Sequence, residues 1–340
     1  MTVSLVIPHW NRADLLRQVL ASVCALSLPD GISTEVIVVD NASEDDSREV
    51  AELAGARVIS VAANEGVSRA LNRGIEASSG DWIVLLNNDV ELTANWLREL
   101  YTSAIDADAW FATGKVLDAA SPDRVDGAGD AVCRGGTAWR IGNGKADGPA
   151  FDRSRQTYFP SATAALFRRD FFDRVGPLDE SFYAYLEDVD LGMRAAIAEL
   201  PGIYVPRAVA FHQGSATAGA WSAKSVAWIT RHQILLLAKY YPLKLLIRFC
   251  LPIAVAQILW AAMAISRGRP GAWVRGVVDG LAAVPTARRS GKSLRLSSER
   301  LAAALEGAEA EIGGIQSRVG WDTYWKWYFR LARPPVWRAA

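Results

Sequence analysis

Three consecutive polar residues at the end of an apolar run are the first sign of chemistry in this sequence. Asn87, Asn88 and Asp89 directly follow residues 82–86, which are all apolar and include a Trp, an Ile and a Val. Such a run predicts a strand that is buried on both faces. Because ligands of open α/β sheets bind beyond the carboxyl ends of the strands, we expect Asp89 to lie beside a nucleotide's phosphates and a divalent cation. A simple turn is the alternative, since Asn and Asp favour turns.

A second group of acidic side chains lies further along the chain. Glu187, Asp188 and Asp190 fall within four residues, where the pattern predicts the start of a helix. The helix dipole favours negative charge there, so capping is one interpretation. Catalysis is the other, because a carboxylate at a helix start stays ionised at neutral pH and can act as a general base. His212, one of three histidines, is predicted to lie in a loop with Gly214.

Alternating strands and helices are predicted to position these side chains. Apolar runs predict four early strands, at 3–7, 36–39, 58–61 and 82–86. Helices are predicted between them, and the second begins at a capping box formed by Ser43 and Asp46. This alternation is typical of a parallel sheet with right-handed crossovers, so Asn11, Asp40 and Asp89 should lie at one edge of it. The sequence therefore predicts an α/β nucleotide-binding domain.

Signature motifs of two common nucleotide-binding classes are missing from the sequence. No G-x-G-x-x-G follows the first predicted strand, and no G-x-x-x-x-G-K-[ST] occurs, which argues against a Rossmann dehydrogenase and a P-loop NTPase. Residues 118–158 are rich in Gly, Asp and Arg and show little periodicity. We predict that they form loops and short strands over the site.

Six short motifs in a fixed order resemble those of the family 2 inverting glycosyltransferases of GT-A fold, particularly the bacterial rhamnosyltransferase-like members that build cell-surface polysaccharides. The motifs are V-V-D-N-A-S at 38–43, N-x-G at 64–66, L-N-N-D at 86–89, G-x-x-D-E-x-F at 176–182, E-D-x-D at 187–190 and H-x-G-S at 212–215. The resemblance covers residues 1–220. It implies transfer of a sugar, with rhamnose favoured, from a dTDP- or UDP-sugar to a glycan or polyprenyl-linked acceptor.

The resemblance also implies roles for single residues. Asp188 is expected to be the catalytic base, with Glu187 beside it. Asp89 and His212 are expected to hold Mn²⁺ or Mg²⁺, which would neutralise the leaving diphosphate. Asn87 departs from the family's D-x-D motif, in which an Asp takes its place. The residues expected to contact the nucleotide are Pro8, Asn11, Asp40, Asn64, Gly66 and Asn88.

Residues 221–340 differ from the rest of the chain in charge. They hold 18 Lys and Arg against 6 Asp and Glu, a net charge of +12, whereas residues 1–220 carry −12. We predict a glycosyltransferase domain at 1–220 followed by a basic, Trp-rich helical extension at 221–340. A basic surplus without a recognisable nucleic-acid module favours an anionic membrane surface over nucleic acid as the partner.

One apolar segment of the extension bears directly on membrane binding. Residues 249–266 carry no charge and would be about 27 Å long as a helix, just short of the ~30 Å hydrocarbon core of a bilayer. An interfacial helix is therefore favoured over a membrane span, a re-entrant hairpin or a packed soluble helix. Trp260 and Trp273, next to several Arg, suit such an anchor. The aromatic tail 321–329 could form another interfacial helix or a homodimer contact.

Cysteine usage and the N-terminus favour the cytoplasm. Cys24, Cys133 and Cys250 are far apart in the sequence, without metal-ligand spacing, which fits a reducing compartment. No signal peptide precedes the first predicted strand. We therefore expect a peripheral or monotopic protein on the cytoplasmic face of the bacterial inner membrane.

Two other functions remain open. A sugar-phosphate nucleotidylyltransferase would share the domain type, but it needs a Gly-rich loop with Arg and Lys after the first strand, where this chain has residues 8–12. A non-catalytic membrane-bound scaffold with a degenerate transferase fold is the second. The presence of Asp89, Asp188 and His212 together argues against the scaffold.

Overall fold

The computed structural model describes residues 1–214 and 221–332. Ser215, the last residue of the H-x-G-S motif, lies outside this part. By its contacts the chain divides into two compact units. The first takes in Met1–Gly129 and Gly142–Ala216, and the second takes in Asp130–Ile141 and Thr217–Ala340.

Among the described residues the chain forms twelve strands. They are β1 (Thr2–His9), β2 (Ser33–Asp40), β3 (Arg57–Ser60), β4 (Trp82–Leu86), β5 (Val90–Leu92), β6 (Phe111–Asp118), β7 (Val125–Gly127), β8 (Asp130–Val132), β9 (Ala138–Arg140), β10 (Arg155–Thr157), β11 (Ala164–Arg168) and β12 (Gly202–His212). The four strands predicted for the first part of the chain are all present.

Twelve α-helices accompany these strands in the described part. They are α1 (Ala13–Cys24), α2 (Ser47–Leu53), α3 (Val67–Ala77), α4 (Trp96–Asp106), α5 (Arg169–Val175), α6 (Glu187–Ala198), α7 (Ala223–Tyr240), α8 (Leu243–Arg248), α9 (Cys250–Ser266), α10 (Pro270–Ser290), α11 (Ser298–Val319) and α12 (Thr323–Leu331). Short 3₁₀ turns lie at Pro149–Phe151 and Leu294–Ser297.

Ten of the strands form one sheet in the first unit. Its order is β10-β12-β6-β11-β4-β1-β2-β3, with β5 paired to β12 and β7 paired to β6. β1 is parallel to β2 and β4, and β2 is parallel to β3, as the alternation predicts. β11 is antiparallel to both of its neighbours, β4 and β6. The sheet is therefore mixed: β11 is inserted antiparallel between β4 and β6, and β6 in turn is parallel to β12.

Both faces of the sheet are covered, as the apolar runs predict. In β4, Val84 packs in one core cluster with Leu16 of α1, while Leu85 packs in the other with Leu71 of α3. Successive side chains of a strand point to opposite faces, so a strand between two helical layers must be apolar throughout. Burial of each such side chain contributes about 1.5–3 kcal/mol, which fixes the register of β4 and therefore the place where it ends.

Two local predictions are wrong. α2 begins at Ser47, and the predicted capping box does not form. The side chain of the N-cap residue Asp46 makes no capping hydrogen bond, and the Ser43 hydroxyl instead accepts a hydrogen bond from the Asn11 N–H at 2.8 Å. His212 is not in a loop but is the last residue of β12, since that strand extends from Gly202 to His212.

The second unit combines the β8–β9 hairpin with α7–α12. Arg134, between the two strands, forms a buried ion pair of 2.7 Å with Glu309 of α11, which also accepts a hydrogen bond from Tyr328. The sequence pattern gave no sign that 130–141 packs here. The Ala- and Glu-rich residues 297–315 predict a solvated amphipathic helix, and α11 is a helix over this stretch with one face buried. The division at residue 220 stays a prediction.

The uncharged helix of the second unit, α9, has 17 residues. Among the described residues, no helix combines the length and the apolar character needed to cross a bilayer. Trp260, expected as an interfacial anchor, is buried and donates a hydrogen bond of 2.8 Å to Thr230. That expectation is wrong because the indole packs between α9 and α7.

Candidate active site

His9 organises the edge of the sheet where β1, β2 and β4 end. It is buried, it pairs in register with Asp40, and its Nδ1 lies 2.8 Å from the Asn88 amide nitrogen. Burial lowers the pKa of His9 to about 4, although nearby carboxylates, Asp45 first among them, raise it. The ring is therefore neutral at pH 7. It accepts a hydrogen bond from Asn88 through Nδ1 and donates one through Nε2 to Ser47, 2.7 Å away.

The hydrogen bonds continue from Ser47 to the start of α1. The Ser47 hydroxyl donates to Asp45, and Asp45 accepts a further bond of 3.0 Å from the Ala13 N–H. Burial raises the pKa of Asp45, but these hydrogen bonds outweigh burial and lower it below its usual value. Asn88 after β4 is thus tied to the loops after β1 and β2.

Asp40 and Asn41 present buried oxygens at the end of β2. The Asp40 carboxylate accepts a hydrogen bond of 3.0 Å from the Ser43 N–H, and Arg48 approaches its other oxygen to 3.7 Å. Within the described residues, that second oxygen and the Asn41 side-chain oxygen are buried without a hydrogen bond. A buried acceptor without a donor is unfavourable by about 1–3 kcal/mol, so both oxygens favour a ligand that donates to them.

The N-x-G motif holds a neighbouring loop. Asn64 accepts hydrogen bonds from the Gly66 N–H at 3.0 Å and from the Tyr183 hydroxyl at 2.9 Å. Gly66 has a φ of 90°, and a Cβ there would lie 2.6 Å from the Tyr183 carbonyl oxygen, so only glycine fits. The carbonyl of Tyr183 also accepts a hydrogen bond from the Val67 N–H. The contact of Asn64 and Gly66 with a nucleotide stays a prediction.

Asp89 and His212 are brought together by the pairing of β5 with β12. Val90 lies opposite His212 in this antiparallel ladder, and the His212 Nε2 is 3.2 Å from an Asp89 carboxylate oxygen. The His212 Nδ1 lies 2.8 Å from Asp126 of β7. Asn143 donates a hydrogen bond of 3.2 Å to the other oxygen of that carboxylate. The side chains of Asp89, His212 and Asp126 are all largely buried.

The chemistry of this pair fits a divalent cation. A carboxylate oxygen and an imidazole nitrogen about 3 Å apart can both reach one ion, and Mn²⁺ accepts both types of ligand. Asp126 has the position of an outer carboxylate that orients a metal-binding histidine. Among the described residues no group of three or more His, Cys, Asp or Glu side chains is arranged to hold a metal. Asp89 and His212 would therefore share the ion with water and phosphate oxygens, as is usual for Mg²⁺.

Asp188 lies at the same edge of the sheet. Its carboxylate accepts hydrogen bonds from the Ala162 N–H at 3.3 Å and from the Val189 N–H at 2.8 Å. Ala162 comes two residues before β11, which pairs with β4, and the Asn87 N–H donates to the carbonyl next to it, that of Thr163. Asp188 thus lies beyond the sheet edge at which β4 ends and β11 begins. It is half exposed, in the first turn of α6.

The other two carboxylates of this helix start differ from Asp188. Asp190 is fully buried and pairs with Arg194 at 3.0 Å. Arg194 in turn donates to three carbonyl groups of the turn after α5, those of Val175, Gly176 and Pro177. Asp190 is therefore structural. Glu187 is buried next to Asp188, and its catalytic role stays a prediction.

The backbone before α6 is strained. Tyr185 and Leu186 both have positive φ angles, of 70° and 64°, a conformation that disfavours residues with a side chain. Such strain of about 1–3 kcal/mol per residue persists only where the surroundings enforce it, and it is common at active sites. Here it turns the chain so that α6 begins with Glu187 and Asp188.

Sequence reasoning missed two residues of this edge. His9 could have been recognised, because it is a polar residue at the end of an apolar strand. Asp126 gave no signal, since it lies in the poorly patterned segment 118–158. The remaining predicted residues lie along the same edge: Pro8 is the next-to-last residue of β1, and Asn11 follows it, with its side chain accepting a hydrogen bond of 2.9 Å from the Glu44 N–H.

Comparison with known proteins assigns this arrangement to a family. Residues 4–176 match the family described as Glycosyl transferase family 2. The uncharacterized protein y4gI of Sinorhizobium fredii is 30% identical over 234 residues, which are 64% of this chain and 25% of that protein. The chain thus spans about a quarter of the length of this relative. The N-acetylglucosaminyl-diphospho-decaprenol L-rhamnosyltransferase of Mycobacterium tuberculosis is 28% identical over 236 residues, which are 62% of this chain and 76% of the enzyme.

A solved structure agrees in fold. The mannosyltransferase PcManGT from Pyrobaculum calidifontis, in complex with GDP-Man and Mn²⁺, has a TM-score of 0.51 at 15% identity, over 94% of this chain and 87% of that one. At this identity the likeness shows the fold alone, and it confirms the predicted GT-A fold with a helical C-terminal part. Since the family match covers half of the chain, the protein is a glycosyltransferase and belongs to glycosyl transferase family 2.

Proposed function

We propose that the protein transfers a sugar from a nucleotide-diphosphate donor to a glycan or polyprenyl-linked acceptor, with inversion at the anomeric carbon. One observation carries the proposal: the Asp89–His212 pair and the Asp188 carboxylate both lie beyond the end of β4. A pair suited to a cation and a separate carboxylate, at one sheet edge, are the parts that such a displacement needs.

Asp89 and His212 are proposed to bind the diphosphate end of the donor. When bound between them, Mn²⁺ or Mg²⁺ would supply positive charge that stabilises the departing diphosphate. Asp126 accepts a hydrogen bond from the Nδ1–H of His212. The lone pair on Nε2 is then directed at Asp89 and the proposed cation site. The Mn²⁺ named with GDP-Man in the P. calidifontis structure supports this proposal.

Asp188 is proposed to be the general base. It would take the proton from an acceptor hydroxyl while the hydroxyl oxygen forms a bond to the anomeric carbon and the bond to the diphosphate breaks. A single displacement of this kind inverts the configuration. The hydrogen bonds from Ala162 and Val189 and the start of α6 all favour the ionised carboxylate that this step requires.

The nucleotide is proposed to bind along the ends of β1 and β2. Asp40 and Asn41 offer buried oxygens that lack donors, and the imide N–H of uracil or thymine is a donor that would satisfy one of them. We take a UDP- or dTDP-sugar as the proposed donor, as the resemblance of the motifs implies. Further contacts are proposed for Pro8, Asn11, Asn64, Gly66 and Asn88.

Rhamnose is proposed as the sugar and cell-surface polysaccharide synthesis as the setting. The support is the M. tuberculosis relative, an L-rhamnosyltransferase that acts on N-acetylglucosaminyl-diphospho-decaprenol. The matching location is the cytoplasmic face of the bacterial inner membrane, as a peripheral or monotopic protein. The +12 charge of residues 221–340 supports this placement, because such a surplus is attracted to anionic lipid.

Replacement of Asp188 tests the proposed chemistry. Asp188→Asn should lower kcat by about 10²–10⁴, because general-base catalysis contributes a factor of that size, while the dissociation constant for the nucleotide stays unchanged. Turnover would be measured with dTDP-rhamnose and a panel of UDP-sugars on a polyprenyl-diphosphate-linked GlcNAc acceptor. Asp106→Asn, on the exposed end of α4, is the matched control. Turnover of Asp188→Asn near that of the control would show that Asp188 is not the base.

A further inference from the structure

The outward stripe of α9 is apolar. Residues exposed at helical spacing along this helix are Leu251, Ala254, Ile258, Ala262 and Ile265. A helix on the surface of a soluble domain normally turns polar or charged side chains outward. α9 contains no charged residue, and its opposite face, with Val255 and Trp260, is buried against the unit's core. The helix is therefore apolar on both sides, although only one side is covered.

The helices on either side of α9 in sequence continue this exposure. Leu243 and Ile247 of α8 are 68% and 65% exposed, and Ile258 of α9 is 67% exposed. Val278 and Leu281 of α10 are 59% and 60% exposed. We call the following residues the apolar stripe: Leu243, Ile247, Leu251, Ile258, Ile265, Val274, Val278 and Leu281. Eight large apolar side chains exposed on three consecutive helices exceed the scattered single ones of an ordinary soluble surface, and such exposure marks a surface that binds something.

Positive charge predominates in the segment that carries the apolar stripe. Residues 243–292 contain eight Lys and Arg but a single Asp. Lys244 and Arg248 pair with acidic residues of α11, whereas Arg267, Arg289 and Lys292 are exposed. Apolar side chains next to an excess of basic ones are complementary to the surface of an anionic bilayer, in which headgroup phosphates lie above the acyl chains.

A second copy of this chain is a poorer occupant of the same face. A two-fold contact places a patch against its own equivalent, so the positive charge around the apolar stripe would meet the same charge on the other copy. Like charges at an interface oppose association. An anionic lipid surface covers the apolar side chains and neutralises the charge at the same time.

We propose that the apolar stripe is a lipid-docking surface, which inserts side chains of α8, α9 and α10 into the interfacial region of an anionic membrane. This inference deepens the membrane placement proposed above, and it rests on that placement alone, not on the sugar chemistry. The side chains that enter the lipid are the aliphatic ones of the apolar stripe, not those of the Trp residues.

Vesicle sedimentation of the full chain tests the proposal. Wild-type protein should sediment at low salt with vesicles of phosphatidylcholine and phosphatidylglycerol, and less with phosphatidylcholine alone. Leu251→Glu, Ile258→Glu and Val278→Glu should each weaken binding about tenfold or more, because each removes an apolar side chain from lipid and adds a repelled charge. Leu53→Glu is the matched control, since Leu53 is an exposed apolar residue of the first unit, 81% exposed, and its variant should bind as wild type does.

Three outcomes would overturn the proposal. The first is that wild-type protein sediments with neither kind of vesicle. The second is that the stripe variants bind vesicles as well as Leu53→Glu does. The third is that light scattering shows a lipid-free dimer that the stripe variants turn into a monomer, which would make the apolar stripe a contact between copies. Circular dichroism would verify that the variants fold. Nucleotide binding is measured on the same variants and should be unchanged, so a failure of the transferase proposal appears there and a failure of lipid docking appears only with vesicles.

Discussion

At the scale of single residues, the Asp89–His212 pair, which we propose holds a cation, depends on a neighbour outside the recognised motifs. Asp126 accepts a hydrogen bond from one nitrogen of His212 and thereby directs the other nitrogen toward Asp89. Asn143 fixes the Asp126 carboxylate from its far side. Outer groups of this kind raise the basicity of a metal-binding imidazole and hold its orientation.

Removal of the Asp126 carboxylate should therefore weaken metal binding without abolishing nucleotide binding. Asp126→Ala should lower the affinity for Mn²⁺ about 10- to 100-fold, the usual effect of losing such an outer partner. Titration of Mn²⁺ followed by electron paramagnetic resonance measures this affinity directly. Asp123→Ala, an exposed acidic residue of the same segment, is the control. Equal Mn²⁺ affinity in the two variants would show that Asp126 does not act on the metal site.

At the scale of elements, the site is formed by the ends of several strands, and one series of side-chain hydrogen bonds holds these ends in place. Asn88, His9, Ser47 and Asp45 connect the end of β4 to the loops after β1 and β2. This series of hydrogen bonds requires a neutral imidazole, because a protonated His9 could not accept the hydrogen bond from Asn88. These loops carry the residues proposed to bind the nucleotide, so their positions depend on the protonation of His9.

The lowered pKa of His9 predicts a pH dependence of stability. In the unfolded chain the histidine gains its proton near pH 6.5, but in the folded protein it does so only near pH 4. Between these values the unfolded state binds more protons, so the free energy of unfolding falls as the pH falls through this window. The fall should be at most about 1.4 kcal/mol per pH unit.

His9→Gln should reduce this dependence. Between pH 7 and pH 5 the variant should lose about 1–2 kcal/mol less unfolding free energy than wild type, as measured by urea denaturation. Leu20→Ala, which destabilises the core without a titrating group, should keep the wild-type pH dependence. An unchanged pH dependence in His9→Gln would mean that the folded protein does not hold His9 neutral.

At the scale of the whole molecule, the sequence predicted more of the fold than of the site. Strands buried on both faces are continuous apolar runs, so β1, β2 and β4 could be located. The antiparallel orientation of β11 between β4 and β6 could not be predicted, since strand pairing depends on long-range packing that local periodicity does not encode. For the same reason the packing of 130–141 with the second unit and the contact of Asp126 with His212 gave no sign in the sequence.

The measurement that tests the central claim most directly is the thermal stability of the full chain with UDP, dTDP and GDP, each with and without Mn²⁺. The claim is that Asp89 and His212 hold a cation that binds the donor's diphosphate at the end of β4. We expect UDP or dTDP to raise the melting temperature only with Mn²⁺, and Asp89→Ala to abolish the rise, because a ligand bound to the native state stabilises it. A rise that does not need the metal, or that survives in Asp89→Ala, would contradict the proposed site. No rise with any of the nucleotides would contradict the proposed donor.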